Sequence, residues 1–159
     1  MRVLVGGIGN VFLGDDAFGV AVAARLRDLH GRDGVEVVDF GIRGIDLAYA
    51  LAEVDAAILI DTVTRGGAPG TLYVLEPEEG AGTAGVAMHG MTPDRVLRWL
   101  PAGAAPPFLR LVGCEPATFG EEGLGRDGLS PPVAGAIEPA ARLVQRIVGE
   151  LIGADSERA

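Results

Sequence analysis

A chain of 159 residues with 48% hydrophobic content is long enough for one domain with an ordinary core and too apolar for wholesale disorder. Its net charge of −9 argues against nucleic acid and anionic membrane surfaces, both of which need basic patches. A single cysteine, Cys114, leaves no internal disulfide framework and fits a reducing cytoplasm. No apolar stretch approaches the roughly 18 residues that span a bilayer, and the N-terminus lacks the pattern of a signal peptide. The expectation is a cytoplasmic monomer with one domain over residues 1–153 and a frayed tail at 154–159.

Val3–Val5 reads as a short strand buried on both faces. Gly7-Ile8-Gly9-Asn10-Val11-Phe12-Leu13-Gly14-Asp15-Asp16 follows as a tight turn, with Asn10 suited to hold it. A helix then starts at Asp16, with Phe18, Val20, Val22, Leu26 and Leu29 at helical spacing. Asp15 or Asp16 suits its N-terminal end by capping and by the helix dipole, and His30 suits the dipole at its C-terminal end. Val35–Phe40 is a second strand. Gly41-Ile42-Arg43-Gly44 turns into a helix running to about Glu53, with Leu47, Leu51 and Val54 on its buried face. Ala56–Ile60 is a third strand and ends in Asp61; Thr71–Leu75 and Leu109–Val112 are a fourth and a fifth. Thr92-Pro93-Asp94 starts a helix that ends before Pro101. Ser130-Pro131 starts a long C-terminal helix with Val133, Ile137, Ala141, Val144, Val148 and Leu151 facing the core. Glu78–Gly85 and Glu121–Gly128 are Gly-rich, acidic loops.

This alternation implies a three-layer α/β/α sheet, in which ligands bind beyond the carboxyl ends of the strands. Three segments converge there: Asp15-Asp16 after the first strand, Gly41–Gly44 after the second, and Asp61 after the third.

Gly7-x-Gly9 begins like a dinucleotide turn, but Phe12 stands where the third glycine belongs, and Asp15 and Asp16 would oppose a pyrophosphate. Asp16 and Asp61 are either a helix cap and a loop partner, or a carboxylate pair that holds a divalent ion or shares a proton. His89, in Val-Ala-Met-His-Gly-Met-Thr-Pro, is either a solvated loop residue or the nitrogen ligand of a mixed N/O site. Cys114 reads as a buried, inert thiol. Neither a Gly-x-Ser-x-Gly elbow nor a His-Glu-x-x-His helix is present.

Together these pieces resemble the hydrogenase maturation endopeptidases. The resemblance runs through Gly7-Ile8-Gly9-Asn10 with Asp15-Asp16 and Gly19, and through Asp39-Phe40-Gly41-Ile42-Arg43-Gly44. It continues in Ile58-Leu59-Ile60-Asp61, the His89 segment, Gly113-Cys114-Glu115-Pro116 and Gly128-Leu129-Ser130-Pro131-Pro132-Val133. It implies a phosphorylase/hydrolase-like α/β/α domain with a mixed, mostly parallel five-stranded sheet. It also implies an endopeptidase, working by aspartic-type or metal-assisted hydrolysis, that cuts a C-terminal peptide from the [NiFe]-hydrogenase large-subunit precursor. Its metal-recognising and catalytic trio falls on Asp16, Asp61 and His89, the first position often being Glu in the family. The nickel is carried by the precursor, and other divalent ions would fit the same trio. Gly41, Ile42, Arg43 and Gly44 would shape the substrate cleft, with Arg43 either meeting a precursor carbonyl or carboxylate, or simply solvated. A nickel-sensing chaperone that docks without cutting, and a nucleotide-binding domain, are the alternative readings.

Overall fold

The computed structural model describes residues 1–76, 98 and 100–158. Among them are the strands β1 (Val3–Ile8), β2 (Val35–Gly41), β3 (Ala56–Thr62), β4 (Leu72–Leu75) and β5 (Phe108–Cys114), in the order β2-β1-β3-β5-β4. Every neighbouring pair is parallel except β4–β5, which is antiparallel. Helices α1 (Phe18–Arg25), α2 (Gly44–Ala52), α3 (Pro131–Ala134) and α4 (Ile137–Arg158), with the 3-10 turns Gly14–Ala17 and Arg27–Leu29, complete the described elements. The mixed, mostly parallel sheet is the one expected.

Side chains alternate across the strands, and the alternation divides the core in two. Val3, Val5, Ile58, Ile60 and Val112 face α1 and α4, meeting Phe18, Val22, Ala140 and Val144. Leu4, Ala57, Leu59 and Leu111 face the other way, against Leu47 and Leu51 of α2. β1 and β3 are buried along their whole lengths, which is why both read as unbroken apolar runs. No helix among the described residues is long and apolar enough to cross a membrane.

Several elements differ from expectation. β1 continues through Gly6 and Gly7 because both glycines pair with β2 on one side and β3 on the other. The first helix starts later than Asp16: Gly14–Ala17 is a 3-10 turn and the α-helix begins at Phe18. β3 includes Asp61 instead of stopping before it. The long C-terminal helix is broken into α3 and α4 around Gly135-Ala136. Pro139 explains the break, since its ring excludes the carbonyl four residues earlier, at Gly135, and it has no N–H to donate. The expected loss of helix after about Gly153 does not occur. α4 runs to Arg158, with Asp155 paired to the N-terminal amine at 3.2 Å and the Ser156 hydroxyl donating to the Ile152 carbonyl. His30 is engaged by β2 and not by the helix end, its Nδ1 accepting the Val37 N–H at 3.1 Å. The helix expected from Thr92 and the loop Glu78–Gly85 lie outside the described residues, apart from Arg98 and Leu100 at the end of that helix.

What positions the site is the contact between α1 and the sheet. A Cβ on Gly19 would overlap the carbonyl oxygens of Ile8 and Ile60, and one on Gly7 would overlap the Gly19 carbonyl. The helix therefore lies backbone against backbone on β1 and β3. Gly19→Ala tests this directly. Alanine is the better helix former, yet the overlap predicts a loss of about 2–3 kcal/mol, measured by urea unfolding; a neutral or stabilising result would show that the helix can lift off the sheet.

Candidate active site

Beyond the carboxyl ends of β1, β2 and β3 lies a cleft of about 220 Å³. Among its lining residues are Asn10, Asp16, Gly41, Ile42, Arg43 and Asp61. Gly44 lines it as well, so the turn nominated from sequence and both nominated aspartates share one wall and floor. In a sheet of this order the connections leave β1 and β3 in opposite directions, which opens the crevice at their ends.

The turn after β1 is built by hydrogen bonds. Asn10 accepts the Phe12 N–H on its side-chain oxygen at 2.9 Å and the Leu13 N–H on its carbonyl at 3.1 Å, so it holds the turn as expected. Gly9 has φ +144° and its Cβ position is filled by the Asp16 carbonyl oxygen, so the chain folds back tightly there. The Gly9 N–H donates to the Gly41 carbonyl at 2.9 Å, and this bond ties the first turn to the second.

Asp16 and Asp61 are both buried. The Asp16 carboxylate accepts the Asn10 N–H at 2.8 Å on one oxygen and the Thr62 hydroxyl at 3.2 Å on the other. Asp61 accepts the Thr62 N–H at 2.7 Å. Burial, followed by the charge of Asp16, pushes Asp61 well above the ordinary carboxylate range, against the opposing donation of Thr62. The charge of one aspartate is thus felt by the other, and the helix-cap reading of Asp16 fails, since its side chain caps neither the 3-10 turn nor α1. Such a pair is equipped to exchange a proton or to welcome a cation. Among the described residues no three His, Cys, Asp or Glu side chains gather as an ion site. His89, the third nominated residue, lies outside the described residues.

Asp15 has an entirely different task. It is fully buried and accepts the N–H groups of Ala117, Thr118 and Ser130 together with the Ser130 hydroxyl, at 2.7–2.9 Å. Burial pushes its pKa up, but the donors of Ser130, Thr118 and Ala117 outweigh it and leave it lowered. The expected helix cap is instead a knot joining the β1 turn to the loop after β5 and the start of α3. Glu115, which sequence reasoning left without a role, does the same for the loop between β3 and β4. It accepts the N–H groups of Arg65 and Gly66 and the Tyr73 hydroxyl at 2.8–3.1 Å. Its place after a buried strand end was the available signal. Cys114 is buried, and burial, Asp15 and Glu115 push its thiol up to about 12, in line with an inert thiol.

Arg43 is not simply solvated. Its guanidinium donates to the carbonyls of Asp39 and Phe40 and lies 3.4 Å from Asp46, so it braces the β2–α2 turn. Ile42 on that turn is exposed, as are Phe12 on the first turn and Ile45 and Tyr49 on α2. Ile42 lines the cleft, as the sequence nominated it, whereas the exposure of Phe12, Ile45 and Tyr49 was not foreseen, because helical spacing marks core positions and not exposed apolar ones.

A buried carboxylate pair at the floor of an open cleft is the equipment of an acid–base or cation-assisted hydrolase. The comparisons with known proteins narrow that class. The family model of the hydrogenase maturation protease HycI matches residues 20–147. Hydrogenase 2 maturation protease of Escherichia coli is 36% identical over 149 residues, covering 91% of this chain and 88% of the relative. The hydrogenase expression/formation protein HoxM of Azotobacter vinelandii is 32% identical over 94% of this chain and 73% of its own length. The solved structure of the E. coli hydrogenase maturating endopeptidase HybD superposes with a TM-score of 0.79 at 34% identity, covering 94% of this chain and 93% of that one. The [NiFe] hydrogenase maturation protease HycI from Thermococcus kodakarensis does so with a TM-score of 0.74 at 29% identity, over 93% and 92% of the two chains. The chain belongs to the hydrogenase maturation protease family. It is a peptidase.

Two measurements check the separate duties of the acids. An unfolded chain releases the Asp61 proton at about pH 3.9, whereas the folded chain holds it to higher pH. The folded state therefore binds more protons in that window, and stability falls as pH rises through it. Asp61→Asn removes this slope, so its thermal midpoint should match the parent at about pH 4 and exceed it at about pH 7. A midpoint that stays parallel to the parent across this range would contradict the geometry. Asp15→Ala should act in the opposite sense, costing about 3 kcal/mol or more by leaving three N–H groups without their acceptor, as read from urea denaturation at neutral pH.

Proposed function

We propose that this peptidase removes the C-terminal extension from the large-subunit precursor of a [NiFe]-hydrogenase and that nickel already held by the precursor is its recognition element. The observation that carries the reading is the single cleft in which Asp16 and Asp61 meet the Gly41–Gly44 turn. Burial, and then the charge of Asp16, push Asp61 up, and a cation arriving between the two carboxylates relieves that imbalance, so a substrate that brings its own divalent ion suits the pair. Asp16, Asp61 and His89 are assigned to that ion. The ion supplies the Lewis acid for peptide hydrolysis, and a cleft carboxylate takes the proton from water. Gly41 and Gly44 allow the extended precursor tail to run close to the backbone, beside Ile42 and the braced Arg43. We place the enzyme in the cytoplasm, a reading that its single, buried thiol suits, and read it as a monomer.

The test is processing in vitro. Purified protein incubated with nickel-loaded precursor should yield a shortened large subunit, whereas nickel-free precursor should remain uncut. Asp16→Asn and His89→Ala should slow the cut by about a hundredfold or more while remaining folded. Normal processing by these variants would refute the trio, equal cutting of nickel-free precursor would remove nickel as the signal, and binding without any cut would leave a docking protein.

A further inference from the structure

We infer that Thr62 is a positioning residue of this reaction, a single side chain and amide that align both cleft carboxylates. The inference rests on the reading of Asp16 and Asp61 as the reacting pair and goes beyond it by naming what holds them. Thr62 closes β3, directly after Asp61, and is buried. Its N–H donates to Oδ1 of Asp61 at 2.7 Å, and its hydroxyl donates to Oδ1 of Asp16 at 3.2 Å. The two carboxylates come from the 3-10 turn before α1 and from the end of β3, 45 positions apart in sequence, and are of like charge when ionised. Left to themselves they would rotate away from one another. A neutral donor touching both removes that freedom. Threonine is suited to the task because its branched Cβ restricts χ1, and because its backbone is pinned in the sheet opposite Cys114 of β5. The hydroxyl therefore projects from a rigid element, the condition for holding a reacting group in register.

A packing role and a positioning role make opposite demands on this residue. Thr62→Val keeps the branched shape and loses the hydroxyl. Thr62→Ser keeps the hydroxyl and loses the methyl group. The readout is single-turnover cleavage of nickel-loaded precursor, with the half-saturating enzyme concentration and the thermal midpoint measured in parallel. Positioning predicts that Thr62→Val slows the saturated rate about ten- to a hundredfold with little change in half-saturation, and that Thr62→Ser stays within about threefold of the parent. The proposal is overturned if Thr62→Val cuts at the parental rate or if Thr62→Ser is as slow as Thr62→Val. Should Thr62→Val not fold, Thr62→Ala against Thr62→Ser isolates the same hydroxyl, and equal rates overturn the proposal. Asp16→Asn is run beside them. If it cuts normally, the carboxylate reading itself has failed; if it is inactive while Thr62→Val is normal, only the role of Thr62 has.

Discussion

The backbone contact between the start of α1 and strands β1 and β3 is the constraint on which the rest depends. Gly19 rests on the Ile8 and Ile60 carbonyls and Gly9 against the carbonyl of Asp16. With the helix seated that low, the segment between β1 and α1 has little room, and it closes as a 3-10 turn instead of an open loop. The same closeness brings Asp16 within hydrogen-bonding distance of Thr62 at the end of β3. A helix lifted by one side-chain layer would still bury Phe18 and Val22, but its N-terminal acid would no longer reach the third strand. Packing and chemistry are therefore set by the same missing side chains.

Within that turn, two adjacent aspartates are sorted by the direction in which they point. Successive residues of a 3-10 turn are about 120° apart, so Asp15 and Asp16 cannot face the same partner. Asp15 turns inward, where three amides and a hydroxyl converge on it; enough donors are present to outweigh its desolvation. Asp61, facing the cleft with Asp16 beside it, lacks that compensation and moves the other way. A fully satisfied buried acid stabilises the fold, whereas an under-compensated one stores the electrostatic imbalance that a substrate can relieve. Of Asp15 and Asp61, the carboxylate that receives more donors is the one burial fails to push up.

How far this was legible in the sequence follows from which interactions are local. β1 and β3 were visible because both faces are buried, and the start of α3 because Ser130-Pro131 is a local signal. Asp16, Asp61 and the Gly41–Gly44 turn could be grouped because strand ends in such a sheet gather at one edge. Roles that rest on long-range donors were not visible. Asp15 looked like a cap because its partners lie about a hundred positions further along the chain, and Glu115 offered only its place after a buried strand end, with partners more than forty positions away. The misread C-terminal helix had a local cause, Pro139, whose effect falls four residues earlier at Gly135. The helix end at Arg158 was missed for the opposite reason, since the tail is held partly by the distant N-terminal amine.

The opening motif shows why a Gly-rich turn should be read together with its charges. Its glycines serve the same purpose as those of a nucleotide turn, close approach of helix to strand. In a nucleotide turn the amides after the strand would greet a phosphate. Here the Asn10 amide is already taken by the carboxylate of Asp16, so the position an anion would occupy is filled by the protein's own negative charge. An incoming ligand meets carboxylate oxygens in place of free amides, and the sign of what it can carry is reversed. A turn of the kind that greets phosphate elsewhere thus lines its cleft with the carboxylates of Asp16 and Asp61, an edge whose charge opposes an anion such as a nucleotide phosphate.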